Sequence, residues 1–296
     1  ELYGHENLVT AIFAYGKHGV ELFFMISGFV IFWSLKSIRK PSDFVVSRFA
    51  RLYPVYWASV ITTFTLVAIF GLPGREVSFG SFLGNFLMFH NYLDIPNVDG
   101  VYWTLKVELT FYAWMLLLIL FGWVKKIQWP LLLSLVLSAG YYLGYIPLPW
   151  QLREVLLLTW IPFFAIGISL FKYYERSATV LTHINILVAH GLTVLIFGWE
   201  RFLIYSSFTL ILYLASNRNI SFLKTKPLLF LGGISYVLYL IHQNIGYIII
   251  NSGYRFELHP LVSIAIAIPL VFGISVLLRT YVERPAARFI KRKYGA

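Results

Sequence analysis

Nine apolar runs, most of them near the ~17–25 residues a helix needs to cross a bilayer, constrain what this 296-residue chain can fold into. Bilayer hydrocarbon offers no water to the backbone, so each run must satisfy its own N–H and C=O groups, as a helix does. The runs lie near 20–35, 54–71, 101–124, 129–147, 155–172, 180–198, 202–216, 228–250 and 260–280. The first and seventh are short and draw on flanking residues. The stretch 79–92 is shorter still and sits beside Arg75, Asp94 and Asp99. It reads as an interfacial or re-entrant segment. The expected fold class is all-α, a polytopic transmembrane helical bundle of about nine helices.

Composition agrees. The chain is 59% hydrophobic and 12% charged. Soluble domains have roughly half apolar and a quarter charged residues, and so few charges cannot coat a soluble protein of this size. Cysteine is absent, which excludes disulfides, thiolate metal sites and a cysteinyl acyl intermediate. No Cys/His spacing suggests zinc, so no metal is expected.

The net charge of +11 has a topological reading. Of the 24 Lys and Arg residues, 18 fall in alternate connections between the runs. The other connections hold only Lys17, Arg75, Arg153, Arg201 and Arg255, and Lys106 sits near a helix end. The positive-inside rule puts the richer set in the cytoplasm, with the C-terminus. The charge is then topology plus attraction to anionic membrane lipids, not a nucleic-acid signature. The tail from Arg284 to Lys293 reads as a juxtamembrane anchor. Residue 1 falls outside, with no leader peptide ahead of it, which predicts an earlier helix and a parent of ten helices with both ends cytoplasmic. Residues 1–18 are then an extracytoplasmic loop, and 19–296 form the transmembrane domain.

Glu108 lies inside one of these runs, in Trp103-Thr104-Leu105-Lys106-Val107-Glu108-Leu109-Thr110-Phe111-Tyr112. An ionisable group at that depth costs about 3 kcal/mol on insertion scales, so it is kept where it faces a cavity, a partner or a reaction. Thr104, Glu108, Phe111 and Tyr112 share one helical stripe. Lys106 falls on nearly the opposite side and can snorkel to the outer surface. Glu108 therefore needs a partner from another helix: an Arg, a His or a ligand hydroxyl. Arg48 and Arg51 share a helical face where cytoplasm meets membrane. They serve either as positive-inside anchors or as a bidentate clamp on phosphate. Ser27 and Gly28 are small residues that let helices approach, and no base stands near Ser27 to make it a nucleophile. His242 lies mid-span and is either a packing residue or a proton carrier. His183 and His190 read as packing, and Pro162 and Pro269 as kinks. There is no Walker loop, dinucleotide glycine fingerprint or internal repeat.

Five segments together resemble the acyltransferase family 3 membrane proteins. They are Gly19 to Phe29, Phe44 to Trp57, Trp103 to Tyr112, Ser235 to His242, and Glu283-Arg284-Pro285. The resemblance implies transfer of an acyl group, commonly acetyl, from cytosolic acyl-coenzyme A to a hydroxyl, usually of a sugar. It implies donor binding by Arg48 and Arg51. Glu108 would orient or charge-stabilise a catalytic histidine that deprotonates the acceptor. Trp103, Tyr112 and Ser27 would support it. The family's histidine sits in a first helix that these residues lack, so the general base is expected to lie outside them. His5 and His242 are the candidates within the sequence.

The expected function is thus an integral membrane O-acyltransferase, placed in the bacterial inner membrane and acting in exopolysaccharide or O-antigen modification. Its acceptor would be a glycan or lipid-linked glycan. Acetyl-coenzyme A would be a co-substrate, and no cofactor would stay bound. Two other readings stay open: a secondary transporter or flippase using Glu108 and His242, and a non-catalytic membrane subunit.

Overall fold

A computed structural model describes residues 13–217 and 220–294. Within them all regular structure is helical. The helices are α1 (Gly19–Leu35), α2 (Pro41–Phe70), α3 (Phe79–Asn85), α4 (Trp103–Leu120), α5 (Gln128–Tyr142) and α6 (Trp150–Val155). They continue as α7 (Ile161–Tyr174), α8 (Val180–Phe197), α9 (Trp199–Asn217), α10 (Lys226–Arg255), α11 (Pro260–Leu278) and α12 (Arg284–Tyr294). The fold is a helical membrane bundle. Each of the nine apolar runs is helical over most of its length. Six helical stretches are long and apolar enough to cross a membrane: Gly16–Leu35, Pro41–Phe70, Gly100–Leu120, Val180–Phe197, Lys226–Arg255 and Pro260–Tyr294. At 14 residues α7 is apolar but shorter. The run at 129–147 becomes the 15-residue α5, and that at 202–216 the 19-residue α9.

Two compact units emerge. One is drawn from the described parts of 42–106 and 225–296, the other from those of 10–41 and 107–224.

In the first unit, α10 packs along α11, and α2 is joined to its neighbours by large aromatic residues. The hydroxyl of Tyr56 donates to Asn85 O at 2.6 Å, and the indole of Trp57 donates to Phe86 O at 3.0 Å. These bonds anchor the segment 79–92 to α2. That segment holds α3 and a 3-10 turn at His90–Leu93. Asn85 organises it, donating to Ser81 O and Pro96 O and accepting from Val98 N–H. Pro54 lies inside α2, so the helix starts well before the apolar run. The lost N–H costs one bond, and a membrane helix tolerates this where neighbours re-satisfy the freed carbonyl.

In the second unit, α1 lies against α7 through two glycines. A Cβ on Gly167 would fall 1.9 Å from Met25 O, and one on Gly28 would fall 2.5 Å from Phe164 O. Only hydrogen side chains allow that approach, which is how small residues bind membrane helices to each other. The aromatic rings of Phe24 and Phe164 fill the groove beside it, 5.0 Å apart. At the helix ends Lys36 pairs with Glu175 at 2.8 Å. Pro162 is not a kink. It sits in the first turn of α7, where its missing N–H had no partner to lose. The run at 155–172 is broken before it, at Leu157, whose φ is +57°.

Candidate active site

Glu108 is buried, 2% exposed, on the second turn of α4. The helix opens on a 3-10 turn capped by Asp99, whose carboxylate accepts from Val101 N–H at 3.3 Å. The stripe Thr104, Glu108, Phe111, Tyr112 is the buried face of α4, as its spacing requires. Two hydroxyls of the second unit converge on Glu108 Oε1. One is Tyr112, a turn along the same helix, and the other is Ser27 of α1 at 3.4 Å. Among the described residues, another helix thus brings a serine hydroxyl to Glu108. Ser27 is buried and held in place because its neighbour Gly28 presses α1 onto α7. Phe111 stacks on Phe164 at 4.0 Å and fixes the rotation of α4. Trp103, at the start of α4, is half-buried.

Arg48, Arg51, Lys106, Tyr239 and His242 lie in the first unit. Arg48 and Arg51 stand three apart on α2. The Arg48 guanidinium covers the Phe44 ring at 5.7 Å, and Arg51 is exposed. Lys106 places its ammonium over Tyr92, 5.1 Å from the ring centre. Tyr239, from the segment that ends at His242, donates to Val101 O and touches the Thr104 hydroxyl at 2.7 Å. That motif tyrosine clamps the start of α4. His242 itself is exposed, and its Nδ1 lies 2.9 Å from the Tyr239 carbonyl of its own helix. His5 lies outside the described residues. His183 is exposed beside Thr179 O, and His190 meets Phe202 edge-on.

Three acids escaped sequence reasoning. Asp99 is fully buried, and its second oxygen accepts from Asn244 N–H at 3.1 Å. Burial pushes its carboxyl up to about 7, against the pull of these N–H bonds and of Arg75. Glu21, buried in the first turn of α1, accepts from the Tyr205 hydroxyl at 2.9 Å. Depth in an apolar run, the signal that singles out Glu108, applies to Glu21 as well. The third acid, Glu283, belongs to a matched segment but had been given no role.

Comparison with known proteins identifies the family. The acyltransferase-domain profile of family 3 matches residues 3–280. The exopolysaccharide production protein ExoZ of Rhizobium meliloti is 31% identical over 120 residues, covering 34% of this chain and 33% of that one. Acyltransferase MdmB of Streptomyces mycarofaciens is 32% identical over 108 residues, 33% of this chain and 27% of that one. The chain thus spans about a third or less of the length of these two relatives. The ORF330 protein of Acidianus two-tailed virus, provisionally named an acetyltransferase, is 23% identical over 250 residues, 79% and 74% of the two chains. No solved structure matches. With its profile match covering nearly the whole chain, this integral membrane protein belongs to the acyltransferase family 3.

Proposed function

We propose that this membrane acyltransferase moves an acyl group, acetyl by preference, from cytosolic acyl-coenzyme A to a hydroxyl of a carbohydrate or lipid-linked glycan. ExoZ, by its name, serves exopolysaccharide production, and that supports a surface-glycan acceptor. The observation that carries the reading is Glu108, a carboxylate buried in an apolar helix and held by the hydroxyls of Ser27 and Tyr112. An acid kept there at such cost suits a group that orients or charge-stabilises a histidine base. His5 and His242 are the candidates for that base. The base removes the acceptor hydroxyl proton, the oxygen attacks the thioester carbonyl, and coenzyme A leaves as the thiol once it has taken a proton. Arg48 and Arg51 are assigned to the donor phosphates, from the cytoplasmic face of a bacterial inner membrane.

The test is transfer of labelled acetyl from acetyl-coenzyme A to a glycan acceptor in proteoliposomes. The native protein transfers label. Glu108→Gln loses most of the rate while still inserting, and the double variant Arg48→Ala, Arg51→Ala binds donor weakly. Donor consumed equally by native and double-variant protein overturns the clamp assignment. Proton-driven uptake of a solute with no donor present would overturn the enzyme reading.

A further inference from the structure

Glu283 stands on the π-helical turn Arg279–Glu283 that joins α11 to α12. Arg279, Arg51 of α2 and Arg284 lie within electrostatic reach of its carboxylate. Among the described residues, one carboxylate thus has three guanidiniums within electrostatic reach, from two separate helical stretches of the first unit. Its Oε2 is buried and takes no hydrogen bond from the described residues. Arg279 is not an ordinary snorkelling anchor, because it is half-buried and lies on the backbone of α10. A Cβ placed on Gly233 would come within 2.3 to 2.6 Å of Nη2, Nη1 and Cζ. Such near-equal distances put the guanidinium face-on against that glycine. Three residues along, the Tyr236 hydroxyl donates to Leu52 O at 3.3 Å, tying α10 to α2 beside Arg51. So α2, α10 and the α11–α12 turn meet at one point, where the described guanidiniums outnumber the described carboxylate.

A cluster serving only to anchor the helix ends would spread its charges into water, whereas here they are gathered and matched by too few carboxylates. Guanidiniums so arranged suit a multiply charged phosphate, which they bind bidentately. We propose that Arg279 is a further donor-binding residue, working with Arg51 on the phosphate-bearing end of the acyl donor. Glu283 is a positioning residue that orients both guanidiniums, and Gly233 is the seat that admits Arg279. The proposal rests on the acyl-coenzyme A reading and extends it from α2 to the turn after α11.

The test uses the full chain in nanodiscs with two probes. They are acetyl-coenzyme A and S-acetylpantetheine, which carries the thioester arm without phosphates. The variants are Arg279→Gln, Gly233→Ala and Arg51→Gln, with Lys226→Gln as a control cation outside the cluster. Arg279→Gln is expected to weaken acetyl-coenzyme A binding at least tenfold and to leave S-acetylpantetheine unchanged. Gly233→Ala keeps every charge but displaces the guanidinium, and is expected to weaken the same probe alone. It also reports where the arginine variant fails to fold. Equal loss of both probes marks a structural role and overturns the proposal. Native-like affinity in Arg279→Gln and Gly233→Ala, with loss in Arg51→Gln, overturns it while the donor reading survives. A native protein that binds no acetyl-coenzyme A overturns both.

Discussion

At the scale of single residues the proposed chemistry turns on Glu108, and its two hydroxyl partners allow charge to be separated from shape. Gln is nearly isosteric and still accepts from Ser27 and Tyr112 through its amide oxygen. Glu108→Gln is therefore expected to hold its melting temperature to within a few degrees but to lose on the order of 100-fold in acetyl transfer, the lower end of acid–base contributions. Tyr112→Phe removes one charge-assisted bond, and a loss of roughly tenfold follows from ~1.5 kcal/mol. A Gln variant with native rate would remove Glu108 from the mechanism. Asp99 gives a pH prediction. Its folded pKa is raised to about 7 by burial, above the ordinary 3.8. Between those values the unfolded chain has lost its proton while the folded one keeps it, so this group makes stability fall as pH rises from about 4 to about 7. Buried His90 acts in the opposite direction, since burial lowers its pKa and stability is lost as pH drops below the usual histidine range. The difference in melting temperature between native protein and Asp99→Asn isolates the Asp99 share. That difference should change across pH 4–7 and level off above it. The burial of Glu108 was legible because its depth in an apolar run was. Asp99 and Glu283 lie outside the apolar runs, and their burial comes from contacts between segments far apart in sequence, which spacing along one helix does not record.

At the scale of helices, apolar length located every long element, while local backbone chemistry decided where each one stops. The 155–172 run is continuous in hydropathy yet divides at Leu157, because a left-handed residue and the Pro162 start signal outweigh apolar character. The pairing of α1 with α7 was half legible. Ser27 and Gly28 announce a close approach, but its partner Gly167 carries no mark in sequence to distinguish it from other glycines. The contact gives a sharp comparison. Gly167→Ala drives a methyl into the Met25 carbonyl, a backbone group that cannot swing aside, and should cost ~1–3 kcal/mol as an overpacked core position does. Gly191, in α8, has nothing within 4 Å of its added Cβ. There Gly191→Ala should be neutral or stabilise by up to ~1 kcal/mol through helix propensity. Thermal unfolding of the two variants in detergent reads the contrast, and equal effects would mean that α1 and α7 do not touch through this glycine. Because Ser27 rides on the same contact, Gly167→Ala should also lower acetyl transfer.

For the molecule as a whole, the open question is how many times the chain crosses the bilayer. Six helices satisfy length and hydropathy on their own. Nine crossings follow if α5, α7 and α9 also span, and the distribution of Lys and Arg favours nine. Under nine, basic residues gather in alternate connections, whereas six would put Arg284 to Lys293 on the outer side with Glu257 inside. A 14- or 15-residue helix covers only about 21–23 Å, less than the ~30 Å hydrocarbon core. Such helices can still cross where flanking residues and bilayer thinning make up the difference, at fractions of a kcal/mol per Å. The absence of cysteine makes this directly measurable, since any introduced thiol is unique. Three single variants decide it: Gly74→Cys, Arg153→Cys and Glu257→Cys. A membrane-impermeant maleimide applied to intact cells should label all three if there are nine crossings with the basic connections inside. With six it should label Gly74→Cys alone, because residues 153 and 257 would then lie on the cytoplasmic side. Failure at Gly74→Cys alone among the three, with labelling of Lys125→Cys, would reverse the orientation of that part of the chain and move Arg48 and Arg51 away from cytosolic donor. The crossing number therefore constrains the chemistry as well as the topology: the arginine cluster can serve acyl-coenzyme A only if the connections that hold it face the compartment where that donor is made.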